Sequence, residues 1–197
     1  MKNLLLTLLS IVLLSFTSDN NEYFATVEKV SDVPIFIFSK PSSEYEVVGK
    51  AMSFNDMIKM ATDEKSTVRQ KAEKIVETAR KRVEDEKISN FDALIIELDK
   101  DKVRAIKFKS DVSTNAKVDN YDNNIAIFFF CEPNEEYEIV EQLKANYSPK
   151  AERNGILFDK IRSMIDRTIK KQKDGKIKSF DAIIISPDDL SEKLIIF

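Results

Sequence analysis

Apolar residues along the chain fall into short runs that predict buried strands. Residues 34–39 and 125–131 are continuous apolar runs bounded by turn residues, a pattern typical of strands that are buried on both faces. Pro41 and Pro133 follow these runs, and each strand should end there because proline cannot donate to a ladder. Partial alternation of apolar and polar positions then predicts a second strand after each proline, beginning at a tyrosine.

Two stretches have the 3.6-residue period of an amphipathic helix. The apolar positions of the first are Val68, Ala72, Ile75, Val76, Ala79 and Val83. A shift of 89 residues gives a second face that becomes polar at its end, namely Leu157, Ile161, Met164, Ile165, Thr168 and Gln172. Gly175 suits the position just after the second helix, where a left-handed residue commonly ends a helix. Two further apolar strands are predicted after each helix.

The two halves of this pattern are also related residue by residue. Residues 35–48 match 127–140 at an offset of 92, and residues 87–96 match 176–185 at an offset of 89. Both copies contain Pro-x-x-Glu-Tyr-Glu and, later, Phe-Asp-Ala in the same order. This internal repeat predicts an α+β fold of two tandem β-β-α-β-β modules, each with one helix packed on a small sheet.

The predicted organisation has five parts: a signal peptide (1–18), an N-terminal lead-in (19–32), module copy 1 (33–108), a polar linker (109–124) and module copy 2 (125–197). The first part has the basic start, short apolar run and small polar exit of a secretory signal. Its apolar run is shorter than the roughly 20 residues that cross a bilayer as a helix. We expect an exported protein, periplasmic or secreted, without a stable membrane span after signal removal; an uncleaved anchor is the alternative.

One helix covers only one face of a small sheet, so the other face needs a second covering layer. The run from Ile127 to Phe130 is apolar on both faces. We expect its second face to press against the other copy, so that the two copies form a unit with pseudo-two-fold symmetry. A homo-oligomer is also compatible with the sequence.

Composition removes several classes of function. The chain has 31 basic and 34 acidic residues, a net charge of −3, which gives no electrostatic reason to bind nucleic acid. It has no histidine and one cysteine, which excludes serine–histidine and cysteine–histidine catalysis, zinc–histidine sites and an internal disulfide. We therefore expect no cofactor and no metal site.

The repeated pattern resembles small bacterial envelope domains of the YbjQ-like and RcsF-like kind, here in tandem. The resemblance rests on a strand followed by Pro-x-x-x-Tyr-x-x-aliphatic and, after the helix, on Asp-Ala before an aliphatic strand. In copy 1 the matching residues are Pro41, Tyr45, Val48, Gly49, Asp92, Ala93 and Ile95, and in copy 2 they are Pro133, Tyr137, Val140, Asp181, Ala182 and Ile184. The resemblance implies an envelope setting; the heavy-metal site and the disulfides of these groups do not carry over, because the required ligands and cysteines are absent.

Asp92 and Asp181 are the candidate catalytic carboxylates. Each stands between Phe and Ala at the start of an apolar strand, where a raised pKa would suit a general acid or base. The alternative is a structural role in which each carboxylate accepts backbone N–H groups of the helix-to-strand turn. An enzyme would need the two carboxyl groups within about 5–10 Å of each other.

The candidate binding residues are Tyr45 and Glu46 in copy 1 and Tyr137 and Glu138 in copy 2. A tyrosine with acidic flanks can form a recognition surface, and the carboxylates could hold calcium through oxygen. Alternatively, an alternating strand turns each tyrosine inward and the glutamates to water. Cys131 is expected to be a buried free thiol.

Two functions remain after these exclusions. The first is a non-enzymatic envelope module that binds an unidentified protein or small ligand between its two copies. The second is a carboxylate-dependent enzyme with a site between the copies.

Overall fold

The structure is a computed structural model that describes residues 22–53, 56, 66–98, 102–122, 125–144 and 159–197. The predicted signal peptide lies outside the described residues. The described part is a mixed α+β structure with two helices and thirteen strands, which confirms the predicted α+β class.

The strands and helices follow one another in this order. They are β1 (Tyr23–Val27), β2 (Lys29–Val30), β3 (Val33–Ile37), β4 (Ser39–Pro41), β5 (Tyr45–Lys50), α1 (Val68–Glu84), β6 (Ala93–Glu97), β7 (Lys102–Phe108), β8 (Asn115–Val118), β9 (Ala126–Phe129), β10 (Cys131–Pro133), β11 (Glu138–Leu143), α2 (Asp159–Lys173), β12 (Ala182–Ile185) and β13 (Glu192–Ile196).

Most strands belong to one large sheet with the order β11-β13-β12-β9-β3-β6-β7-β5, to which β2 is added beside β3. In its middle, β3 and β9 are antiparallel and pair at Ile37 and Phe129. Outward from this pair, the strands run β3, β6, β7, β5 on one side and β9, β12, β13, β11 on the other. The first pairing on each side is parallel and the rest are antiparallel.

The two helices pack on one face of the large sheet. Helix α1 begins with a capping box, in which Thr67 accepts from the Gln70 amide while the Gln70 side chain accepts from the Thr67 amide. Its predicted apolar face is the buried face, centred on Ile75 and Val76. After α2, Gly175 has a φ of +67°, and its amide donates to the Gln172 carbonyl, as predicted for a residue that ends a helix.

The opposite face of the large sheet is covered by a second sheet with the order β10-β1-β8-β4. The expectation that the other copy would cover this face is wrong. Phe36 and Phe128 point from the large sheet into a core that the second sheet closes with Ala25, Val27 and Val118. The two inner strands come from segments expected to be connectors: the lead-in contains β1, and the stretch expected to be a polar linker contains β8.

Each inner strand of the second sheet pairs with a strand from the more distant half of the chain. Strand β1 precedes β3 but pairs with β10, so that Val27 lies opposite Cys131. Strand β8 precedes β9 but pairs with β4, so that Val118 lies opposite Ser39. The two inner strands also pair with each other. The second sheet therefore joins the two halves by backbone hydrogen bonds.

Candidate functional site

A cavity of about 580 Å³ lies between the outer part of the large sheet, the β4–β8 edge of the second sheet and helix α2. Apolar walls come from Phe38, Val47 and Ile95. Val47 is 48% exposed, because the second sheet does not extend over β5. The volume lies within the roughly 300–1,000 Å³ range of small-molecule sites.

Ser39 is the unusual polar residue of the cavity wall. Its side chain is 3% exposed, and within the described part of the chain its Oγ has no hydrogen-bond partner. A buried hydroxyl without a partner costs about 1–3 kcal/mol. The repeat offset of 92 pairs Ser39 with Cys131, a residue that tolerates an apolar setting without a hydrogen bond.

Two ion pairs line the cavity. Lys40 Nζ lies 2.9 Å from Asp119 Oδ1, and Arg104 Nε lies 2.6 Å from Glu97 Oε2. A fifth charged residue, Arg162 of α2, also lines the cavity and forms no ion pair with any described residue. Among the described lining residues there are therefore three cationic side chains and two carboxylates, and each carboxylate already has a cation.

Tyr121 closes one side of the cavity. Its hydroxyl donates to Asp166 Oδ1 at 3.1 Å, and its ring meets Phe38 edge-on at 6.0 Å between centroids. Partial burial, together with the charge of Asp166 and the hydrogen bond to it, raises the pKa of Tyr121. The phenol thus remains protonated at neutral pH and holds α2 next to the cavity.

The predicted binding residues are not brought together. Tyr45 lines the cavity and packs on the core under the second sheet, whereas the Glu46 side chain faces solvent. Tyr137 and Glu138 lie at the start of β11, at the opposite edge of the large sheet. Partial burial and the neighbouring Glu132 raise the pKa of Tyr137. Only Tyr45 contributes to the cavity.

Asp92 and Asp181 each accept a hydrogen bond from the end of a neighbouring strand. The Phe108 amide donates to Asp92 Oδ2 at 2.9 Å, and the Phe197 amide donates to Asp181 Oδ2 at 3.2 Å. Phe108 is the last residue of β7 and Phe197 directly follows β13, so the donors lie at the end of the next strand and not in the helix-to-strand turn that the structural alternative assumed. Each carboxylate secures the strand end beside it.

The strand register separates these two carboxylates. Asp92 is aligned with Val33 and Asp181 with Ile125, each four residues from the Ile37–Phe129 pair and on opposite sides of it. Ideal strand spacings correspond to about 14 Å across the sheet and about 26 Å along it, or about 30 Å in total. This is several times the separation that paired carboxylate chemistry uses.

Cys131 is a free, buried thiol, as predicted. Burial raises its pKa to about 12, so the thiolate that acts as nucleophile or metal ligand does not form at neutral pH.

Glu192 is a carboxylate in the helix-side core. It is 3% exposed, its Oε2 accepts from Thr168 Oγ1 at 2.8 Å, and its Oε1 has no partner among the described residues. Burial raises its pKa, although the Thr168 hydrogen bond and the charges of Lys171 and Arg167 act in the other direction.

A cationic side chain of α1 contacts residues from both halves of the chain. Arg69 of α1 binds Glu28 at 3.0 Å and Asp188 at 2.6 Å, and its guanidinium lies 5.5 Å from the centre of the Phe130 ring. These contacts raise the pKa of Arg69, with the hydrogen bond to Asp188 as the main cause. Phe130 corresponds to Phe38 of the cavity at the repeat offset.

Over the described ranges, no three acidic or cysteine side chains come close enough together to hold a metal ion. No helix in the described residues is long and apolar enough to cross a membrane. The chain matches no family model, no curated protein and no solved structure.

Sequence reasoning missed Ser39, Asp119 and Arg162 as residues of one site. They come from β4, from the end of β8 and from the distant helix α2. One signal was present: residues 25–28 read Ala-Thr-Val-Glu and residues 116–119 read Ala-Lys-Val-Asp, at an offset of 91. Extending the repeat in this direction would have identified β1 and β8 as counterparts.

Proposed function

We propose that this chain is an exported, non-enzymatic binding module of the bacterial envelope, and that it binds a small molecule in the cavity beside β4. The observation that carries the proposal is Ser39, a residue of the cavity wall whose buried hydroxyl has no partner among the described residues. A ligand that bonded this hydroxyl would remove the cost of leaving it unpaired.

The architecture that we propose is a pair of β-β-α-β-β modules related by a pseudo-two-fold axis between β3 and β9. The matching strand orders of the two halves support this arrangement. So do two corresponding hydrogen bonds, from the Glu28 amide to the Phe130 carbonyl and from the Asp119 amide to the Phe38 carbonyl, both 2.8 Å long. Phe38 and Phe130 also share a positive φ, +54° and +58°.

The non-enzymatic part of the proposal rests on what the candidate groups already do. Asp92 and Asp181 each bind a strand-end amide and lie far apart. Cys131 stays a thiol at neutral pH. Export follows from the signal-like N-terminus, and the envelope setting follows from the family resemblance.

The exposed strand positions Val47 and Ile139 provide a matched test of ligand binding. Both are about half exposed, at 48% and 47%, and they correspond at the repeat offset of 92, but only Val47 lines the cavity. We would screen aromatic fragments of neutral, anionic and cationic charge against the ¹⁵N-labelled chain lacking residues 1–18. Bound fragments should shift the amide resonances of Ser39 and Asn120.

Val47→Trp should place a large side chain in the cavity and weaken fragment binding at least tenfold. Ile139→Trp makes the same change on the other half and should leave binding unchanged. If no fragment shifts the cavity resonances, or if both variants weaken binding equally, the cavity is not the binding site.

A further inference from the structure

We propose that the ligand of this cavity is an amphipathic organic carboxylate of low molecular weight. Its carboxylate would bind Arg162 and the Ser39 hydroxyl, and its apolar body would lie against Phe38 and Val47. This inference rests on the proposed binding function and specifies the ligand of the same site.

The charges of the cavity wall favour an anion. Asp119 and Glu97 are each neutralised at close range, by Lys40 and Arg104 respectively. Arg162 lines the cavity without an ion-pair partner in the described part of the chain. One positive charge is therefore left over, on a guanidinium whose geometry suits a carboxylate.

The other half of the chain shows the opposite choice of charge. At the repeat offsets, Lys40 corresponds to Glu132 and Arg162 corresponds to Glu73. The cavity therefore has a basic residue at two positions where the corresponding residue of the other half is acidic. The crevice beside Phe130 is acidic, and the chain fills it with its own cation, Arg69. The cavity beside Phe38 keeps an acidic residue, Asp119, at the position of Glu28, but it pairs Asp119 with Lys40 and adds Arg162, so its described lining residues favour an anion.

The remaining wall determines the rest of the ligand. The Ser39 hydroxyl can donate one hydrogen bond, and a carboxylate oxygen is a strong acceptor for it. Phe38, Val47 and Ile95 offer apolar and aromatic surface, which a small inorganic anion would leave uncovered. A carboxylate with an aromatic or aliphatic body satisfies both parts of the wall.

Three isosteric probes test the charge of the ligand: naphthalene-2-carboxylate, 2-naphthamide and 2-naphthylmethylamine. Dissociation constants would be measured by titration of the cavity amide resonances at low and high salt. The carboxylate should bind at least tenfold more tightly than the amide, the amine should bind most weakly, and added salt should reduce the carboxylate's advantage.

Arg162→Gln should reduce the carboxylate's advantage over the amide to less than threefold, and Arg162→Lys should keep most of it. Arg167→Gln removes one positive charge from the same helix outside the cavity and should keep the full advantage. If the amide or the amine shifts the same resonances with equal or greater affinity, the carboxylate inference is wrong while the binding site stands. If no probe shifts these resonances, both the ligand class and the proposed site are wrong.

Discussion

Replacing Thr168 and Glu192 together by Ala and Val should stabilise the protein at neutral pH. These are the residues that the first half of the chain has at the corresponding positions, Ala79 and Val103, offset by 89. All four side chains are buried, but only the second half buries a carboxylate there. The double variant therefore substitutes a pair that the same fold already accommodates.

The effect should depend on pH in a defined direction. Burial raises the pKa of Glu192 above its ordinary value of 4.5, so the folded state takes up the proton more readily than the unfolded state. Below pH 4.5 the side chain is protonated in both states and the carboxylate costs nothing. The wild-type protein loses stability as the pH rises from about 4.5 to the folded-state pKa, and the loss is complete above that pKa; the double variant does not lose this stability.

The magnitude follows from known costs of buried polar groups. Each unit of raised pKa corresponds to about 1.4 kcal/mol. Replacing a buried polar pair by apolar groups of similar shape commonly stabilises by about 1–4 kcal/mol. The single change Thr168→Ala should instead destabilise by about 1–3 kcal/mol at neutral pH, because Glu192 then loses the hydrogen bond from the Thr168 hydroxyl while remaining buried.

The difference in stability between the wild type and the double variant can be measured by urea unfolding of the chain lacking residues 1–18, at pH 4 and pH 7.5. At pH 7.5 the midpoint of the double variant should exceed the wild-type midpoint by about 0.5–2 M, for a slope near 2 kcal/mol/M. At pH 4 the difference should be much smaller. Glu138→Gln, at an exposed position of β11, controls for the loss of any carboxylate. A difference that is the same at both pH values, or larger at pH 4, would refute the reasoning.

Three further substitution or labelling experiments test local features of the fold. Cys131 should resist alkylation by iodoacetamide at pH 8 and react fully in urea, because burial raises its pKa to about 12; rapid native labelling would contradict this. Gly49→Ala should destabilise by about 1–3 kcal/mol in urea unfolding, since the new Cβ would lie 2.9 Å from Ile88 Cβ. The double variant Gly49→Ala with Ile88→Ala should lose less free energy of unfolding than the sum of the losses in the two single variants. Glu86→Gly should raise the free energy of unfolding by about 0.5–1 kcal/mol, because Glu86 has a φ of +55° where the second helix has Gly175; an unchanged or lower value would argue against strain there.

The helices and the strands that flank them could be predicted because their signals are local. The buried face of α1 follows from its 3.6-residue period, and strand β3 follows from an apolar run. The prediction that this run forms one strand ending at Pro41 is wrong, because Phe38 at a φ of +54° divides it and residues 39–41 form β4 of the second sheet. Gly175 ends α2 because glycine, which has no Cβ, adopts a positive φ without strain.

The second sheet could not be predicted in the same way. Strand β8 has four residues, and only Ala116 and Val118 among them are buried. Two small apolar residues in a polar stretch have too weak a preference for extended structure to predict a strand. β8 is a strand because β1 and β4 pair with it on both sides, and those partners lie about 75–95 residues away in sequence. The cavity could not be predicted for the same reason, since Asp119 and Tyr121 line it only because β8 pairs with its neighbouring strands.

The pairing of β1 with β10 and of β8 with β4 also explains why the sequence repeat alone did not reveal a site. The residues that the copies share, such as Asp92 and Asp181, serve the ladder of the large sheet in both halves. In the second sheet, the lead-in strand β1 pairs with β10 and the linker strand β8 pairs with β4, so the surroundings of β4 and β10 come from different parts of the sequence. Arg69 binds Glu28 and Asp188 beside Phe130, whereas the cavity lies beside Phe38 and Ser39. Under the proposed function, the residues that the two halves share hold the sheets together, and the binding site depends on positions at which the halves differ.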